Sequence, residues 1–310
     1  MSPMLHWLTG HPARAFLAAG LAALVAFAAL PMAAWLPAGC VVLALLAGGP
    51  VLAGTAALGA ALVLLMVFGP ALGAGPALGI VIAVLLPSYL AASALTMTRS
   101  LSFVFQAVTV GAGLLVLAIH GLLGDPQGVL MPLIAQLEPM LQQTAETLSR
   151  FGIESSPQEI GAATARVAWA TLAWMVLLHT MLAQFAGLWA FGQMREPGLF
   201  GREFRQLKLG RLIAWIAVAA FGVSTGAQLA FGRSWQPADD LVFVLAAAFL
   251  VQALAVIHGL RDLQVIGLLP VILAYLAVVL VPMALVGIGF ADTWIRFRER
   301  FGRGPGSAGA

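Results

Sequence analysis

Eight apolar runs long enough to cross a lipid bilayer recur along this chain, at 15–35, 51–68, 76–98, 101–123, 165–191, 211–231, 239–259 and 264–290. A helix rises about 1.5 Å per residue, so a hydrocarbon core about 30 Å thick takes roughly 20 residues. Within lipid every backbone N–H and C=O must find its partner inside the protein, and for single runs of this length that means α-helix. With 62% hydrophobic and only 9% charged residues, the chain also lacks the polar surface that a water-soluble globule would need. The expectation is an all-α integral membrane protein, a polytopic helical bundle of about eight or nine spans. It forms one domain over 1–300, and 301–310 is a disordered tail.

One short piece breaks the regularity. Residues 37–48 would make a helix only about 18 Å long, and they run into Gly48, Gly49 and Pro50. The glycines accept backbone angles that other residues avoid, and the proline cannot supply a hydrogen bond within a helix. These three residues are therefore predicted to form a structural turn, a short hairpin in which the chain doubles back.

Arginine and lysine set the expected orientation. Arg195, Arg202, Arg205, Lys208 and Arg211 crowd one short connection, which the inside-positive bias places in the cytoplasm. Counting outward, Arg99 and Arg261 fall inside, and the acidic segment 124–164 falls outside. The hairpin keeps Arg14 and the N-terminus cytoplasmic. At the other end, a single crossing by 264–290 would leave Arg296, Arg298, Arg300 and Arg303 outside, whereas a division at Pro270 and Pro282 into a shorter hairpin would return that tail to the cytoplasm, as the inside-positive bias favours. The first apolar run is longer than the core of a secretory signal and is followed by more membrane, so it reads as an uncleaved span.

The segment 124–164 repeats Leu130, Leu133, Ile134, Leu137, Met140, Leu141, Leu148 and Phe151 at three- and four-residue steps among glutamines and glutamates. That spacing predicts one amphipathic helix, or two separated near Pro139, lying on the extracytoplasmic membrane face.

No span carries Asp, Glu, Lys or Arg at its centre, which weighs against a proton- or sodium-driven carrier and removes the usual acid and base of an intramembrane hydrolase. Nothing resembles a nucleophile with its base, so an enzyme is not expected. Cys40 stands alone and the five histidines are scattered, so neither a metal nor another cofactor is expected. No basic run interleaved with aromatics suggests nucleic acid. The polar residues that remain within the spans are neutral. Gln106, His179, Thr180, Gln184 and Gln252 are the candidate ligand-binding set, with Thr180 and Gln184 one turn apart on one face. The two deep glutamines lead it, because a large amide in an apolar span needs several partners. The same side chains also suit helix-to-helix hydrogen bonding. Two rows of small residues, Ala15/Ala19/Ala23 and Ala18/Ala22/Ala26, would let another helix approach closely and are candidate partner-docking faces.

The order of a small-residue first span, a short second element, a Gly-Pro turn and a Gly/Ala-rich third span (PAGCVVLALLAGGPVLAGTAALGAAL, 37–62) resembles the substrate-binding S components of energy-coupling factor transporters. More specifically, together with FLVQALAVIHGL at 249–260 and FADTWIRFRER at 290–300, the chain resembles the YybS-like bacterial membrane proteins, a family of unknown function grouped with those components. The resemblance implies a multi-pass protein of the bacterial cytoplasmic (inner) membrane. It further implies a subunit that binds a small, vitamin-like molecule for uptake and docks through its alanine rows on a transmembrane coupling subunit driven by ATPases. The extra length, the additional spans and the loop 124–164 depart from that pattern. The competing reading is a membrane scaffold or regulatory protein without a transported ligand, its partners docking on 195–211 and on the tail around Trp294, Phe297 and Arg298.

Overall fold

A computed structural model describes residues 3–29, 33–232 and 235–302. Every regular element among them is helical: α1 (Pro3–Thr9), α2 (Pro12–Ala29), α3 (Trp35–Leu72), α4 (Ala74–Thr98), α5 (Leu101–Leu123), α6 (Pro126–Ile134), a 3-10 turn (Ala135–Leu137), α7 (Glu138–Arg150), α8 (Pro157–Arg166), α9 (Ala168–Arg195), α10 (Leu199–Arg205), α11 (Gly210–Phe231), α12 (Gln236–Asp262), α13 (Leu268–Leu280), α14 (Pro282–Ile295) and α15 (Phe297–Gly302). Six of these, α3, α4, α5, α9, α11 and α12, are long and apolar enough to cross a membrane, or seven if the bent pair α13 and α14 counts as one span. The protein is a multi-pass helical membrane protein.

This count is lower than the eight or nine spans expected from the sequence, for three local reasons. The first apolar run yields the short helix α2, and its predicted continuation over 30–32 lies outside the described residues. The pieces 37–48 and 51–68 are two helices that follow one another within α3 across a kink at Gly49, whose φ of 79° and ψ of −170° lie in a region essentially reserved for glycine, and α3 is counted once. The run 264–290 is bent by 118° between α13 and α14. Of the two prolines expected to divide that run, only Pro282 does so. Pro270 sits in the first turn of α13, where a missing N–H costs nothing. The tail beyond residue 302 lies outside the described residues.

The chain divides into two compact units, 1–109 with 176–212 and 248–310, and 110–175 with 213–247. In the first, Ala15, Ala19 and Ala23 of α2 are buried with Ala53, Ala56, Ala60 and Leu64 of α3. Glycine lets the two backbones meet. A Cβ on Gly59 would lie 2.1 Å from the Phe16 carbonyl oxygen. The same device recurs where Gly187 of α9 meets Val42 of α3, and where a Cβ on Gly289 of α14 would come within 1.9 Å of the Phe249 oxygen on α12. Lipid tails are as apolar as leucine, so burial from water does not drive helices together inside a bilayer, and close van der Waals approach of this kind does.

In the second unit the segment 124–164 forms three helices and a 3-10 turn. The helical repeat breaks at Ala135–Leu137, just ahead of Pro139, which sits in the first turn of α7. Gly161 of α8 admits Ile134, since a Cβ there would stand 2.9 Å from the isoleucine Cγ2. Ser156 and Glu159 form a capping box at the start of α8, with Pro157 in its first turn. The backbone N–H of Ser156, and secondarily its hydroxyl, hold the Glu159 carboxyl below the usual glutamate range.

Gly59→Ala and Gly289→Ala should each destabilise the protein by about 1–3 kcal/mol, since the added methyl meets backbone and not a movable side chain. Gly49→Ala should cost a similar amount, about 1–3 kcal/mol, through backbone strain alone. Gly54→Ala is the control, because a Cβ there meets nothing within 4 Å. Thermal unfolding in detergent should leave Gly54→Ala at or above the wild-type midpoint and lower the other three.

Candidate functional site

A concave surface in the first unit begins at the turn between α4 and α5. Arg99 ends α4 in a left-handed conformation (φ 52°), its N–H donating to the Leu95 carbonyl at 2.8 Å. This sharp reversal starts α5 two residues later. Three hydrogen bonds then clip α10 and its connection to α11 to the first turns of α5. The Leu101 N–H donates to Glu203 Oε2 at 3.2 Å, the Ser102 hydroxyl to the Gln206 carbonyl at 3.0 Å, and Gln106 Nε2 to the Lys208 carbonyl at 3.0 Å. Glu203 also places a carboxylate at a helix N-terminus, where the helix dipole favours it. Leu207 and Leu209 are buried by this arrangement, while Lys208 between them is left exposed.

Beneath lies a network of buried polar side chains. Gln252 of α12 is fully enclosed (0% exposed). Its Oε1 accepts the Leu209 N–H at 2.7 Å, and its Nε2 donates to the Gly289 carbonyl at 2.8 Å and, at 3.4 Å, to Asp292 Oδ2. Asp292 of α14, 4% exposed, also receives the Phe297 N–H at 3.0 Å on Oδ1 and Arg298 Nη2 at 2.7 Å on Oδ2. The second guanidinium nitrogen, Nη1, donates to the Arg205 carbonyl at 2.6 Å. Each buried charge is thus paired and also hydrogen-bonded, the condition under which burying it is tolerated.

Above this floor opens a hollow of about 770 Å³, within the size range of small-molecule sites. Six basic residues, Arg99, Arg205, Lys208, Arg211, Arg296 and Arg298, line it, with only three acidic ones, Glu203, Asp292 and Glu299. Arg205 pairs with Asp262 at 3.2 Å, Arg296 with Glu299 at 3.3 Å, and Arg298 with Asp292. Arg99, Lys208 and Arg211 are exposed and have no carboxylate within salt-bridge distance among the described residues.

Of the five residues expected to bind a ligand, Gln252 is built into this site and Gln106 supports it from α5. The other three lie elsewhere. On α9, His179 is half-buried, Thr180 is buried, and Gln184 donates to the Ser88 carbonyl at 2.9 Å while its buried Oε1 has no partner. None of those three lines the hollow. Ala15, Ala19, Ala23 and Ala26 are buried, and Ala18 and Ala22 half-buried. The first alanine row is occupied by α3 of this same chain, so it does not stand open to a partner helix.

The sequence reading placed Arg298 only in a partner-docking tail and missed both Asp292 and the pairing of the two. It also missed a second buried carboxylate, in the second unit. There Asp240 of α12, 2% exposed, meets His120 Nε2 at 2.8 Å and accepts from Gln236 at 2.8 Å. Both carboxylates sit near helix ends, so the absence of charge from span centres stands alongside them. Among the described residues no group of three or more His, Cys, Asp or Glu is placed to hold a metal ion.

Comparison with family models, with curated proteins and with solved structures finds no match.

Gln252→Leu strands the Leu209 N–H and should cost about 1–3 kcal/mol. Asp292→Ala removes the partner of Arg298 and should cost more, about 3–5 kcal/mol. Unfolding midpoints in detergent should follow that order. Limited proteolysis should cut the connection 206–209 faster in both variants than in wild type.

Proposed function

We propose that this multi-pass membrane protein is a non-catalytic binding subunit of a bacterial cytoplasmic-membrane assembly, and that the hollow is its working surface. The observation that carries this reading is the contrast between floor and rim. Gln252, Asp292 and Arg298 are bonded to one another and to backbone within the floor, so these groups hold a shape. The rim keeps charged side chains free. The inside-positive bias assigns this arginine-rich end to the cytoplasm, and the N- and C-termini fall on that side in the same scheme.

The likeness to S components supports a second and narrower reading, a substrate-binding subunit for uptake of a small molecule. The break at Gly49 and the close approach of α2 to α3 at Gly59 favour it. In that reading the hairpin at Gly48–Pro50 belongs to the topology, and the hollow faces the coupling subunit and its ATPases. The vitamin would then be captured on the opposite side of the membrane. A scaffold without a transported ligand would use the same surface, so both readings are tested by blocking it.

Ser102→Trp places an indole in the hollow at the loss of one hydrogen bond, to Gln206. Pull-down from native membranes in mild detergent should recover a protein or small molecule with wild type that is depleted with Ser102→Trp, at similar unfolding midpoints. Identical recovery from both would refute the hollow as the working surface.

A further inference from the structure

We propose that the rim of the hollow is a site for a phosphate group, held by Arg99, Lys208 and Arg211. This rests on the reading of the hollow as a binding surface and adds the chemistry of what is bound.

The case begins with charge. Each of the three acidic residues of the lining is already engaged: Glu203 by the Leu101 N–H, Asp292 by Arg298, and Glu299 by Arg296. Arg205 is neutralised from outside the lining by Asp262. What is left is three cations on one concave surface, and the formal charge of the entire chain is +3. Like charges gathered in a recess repel unless an anion joins them, and a recess with low-dielectric walls strengthens that demand.

Geometry narrows the anion. The three cations come from two places in the chain: Arg99 from the α4–α5 turn, and Lys208 and Arg211 from either side of Gly210. Gly210 lines the hollow, adopts a φ of +81° and opens the 22-residue helix α11. The first-turn amides of that helix lack intrahelical acceptors. A further donor comes from α14: the Thr293 Oγ1 is buried, has no hydrogen-bond partner, and belongs to a residue of the same lining. Two guanidinium groups, an ammonium and a hydroxyl exceed what a single carboxylate can accept. They match the several oxygens and the multiple charge of a phosphate. The hollow is larger than a phosphate ion, so the group arrives as part of something bigger, either a soluble phosphoester or the headgroup of an anionic lipid.

The test uses the full-length protein in nanodiscs. In one arm the discs are pure phosphatidylcholine, and inorganic pyrophosphate is titrated while the unfolding midpoint and the native mass spectrum are followed. In the other, phosphatidylglycerol is added to the discs and the lipid retained after release into detergent is counted by mass spectrometry. In at least one arm, wild type should bind about tenfold more tightly than Arg99→Gln/Lys208→Gln/Arg211→Gln, and binding should weaken with added salt. Thr293→Val should reduce it several-fold. The arm that responds identifies the source of the phosphate. Because the three cations take no part in the floor, the triple variant should keep or exceed the wild-type midpoint without ligand; Arg211→Glu alone provides a second variant that should also bind more weakly. Equal binding by wild type and variants in both arms overturns the proposal. If both arms are silent while Ser102→Trp still depletes native material, the phosphate site fails and the working surface stands. If pyrophosphate binds while Ser102→Trp changes nothing in native membranes, the reverse holds.

Discussion

A single carboxamide joins three parts of the first unit that are distant in sequence. Through Gln252, α12 holds the connection ahead of α11 by the Leu209 N–H and holds α14 by the Gly289 carbonyl. The role requires an acceptor and a donor on one short planar group, which a carboxamide supplies. The contact with α14 also depends on Gly289, whose missing side chain lets the Phe249 carbonyl approach. Position 289 thus serves twice, offering its carbonyl to Gln252 and its empty Cβ to the neighbouring helix. The Asp292–Arg298 pair one turn later then ties the end of α14 to the backbone of Arg205. The rim residues inherit their placement from this sequence of contacts, for Lys208 and Arg211 flank the segment that Gln252 holds.

The membrane class and the principal spans were legible in the sequence because hydrophobic length is a local property that bilayer thickness translates directly into helix length. The hydrophobic repeat of 124–164 was legible for the same reason, since helical periodicity needs no knowledge of neighbours. Gln252 could be singled out because the cost of a deep amide depends on the amide alone, whichever partner satisfies it. Asp292 could not. A carboxylate just inside the end of an apolar run reads as interfacial, and only the fold of α14 and α15 brings Arg298 back over it. Asp240 was hidden in the same way beside Asp239 and Trp235, where the local sequence resembles a loop, although its imidazole partner lies 120 residues earlier.

The alanine rows show where a correct local rule meets a competing answer. Small residues at four-residue spacing do permit close approach, and α2 uses that property on its own chain, where α3 supplies the matching alanines and Gly59. A sequence motif for helix association does not state whether the partner is internal. What decides is availability. A neighbouring helix in the same chain is present at very high effective concentration, so it takes the complementary face before any separate protein can.

The same logic of availability separates the cations of the hollow. Arg298 is fixed because Asp292 is held rigidly by its own chain, through the Phe297 N–H and Gln252, and so presents a carboxylate that does not have to be ordered first. Arg205 and Arg296 find carboxylates in weaker, more exposed pairs, of the kind that contribute little to stability because solvent and salt screen them. Arg99, Lys208 and Arg211 find none. These three exposed cations are screened by solvent and contribute little to stability, since the floor beneath them is held by other groups. Their position fits the inside-positive bias, which assigns this end to the cytoplasm, and at the mouth of the hollow it also leaves them open to solvent and to any negatively charged group.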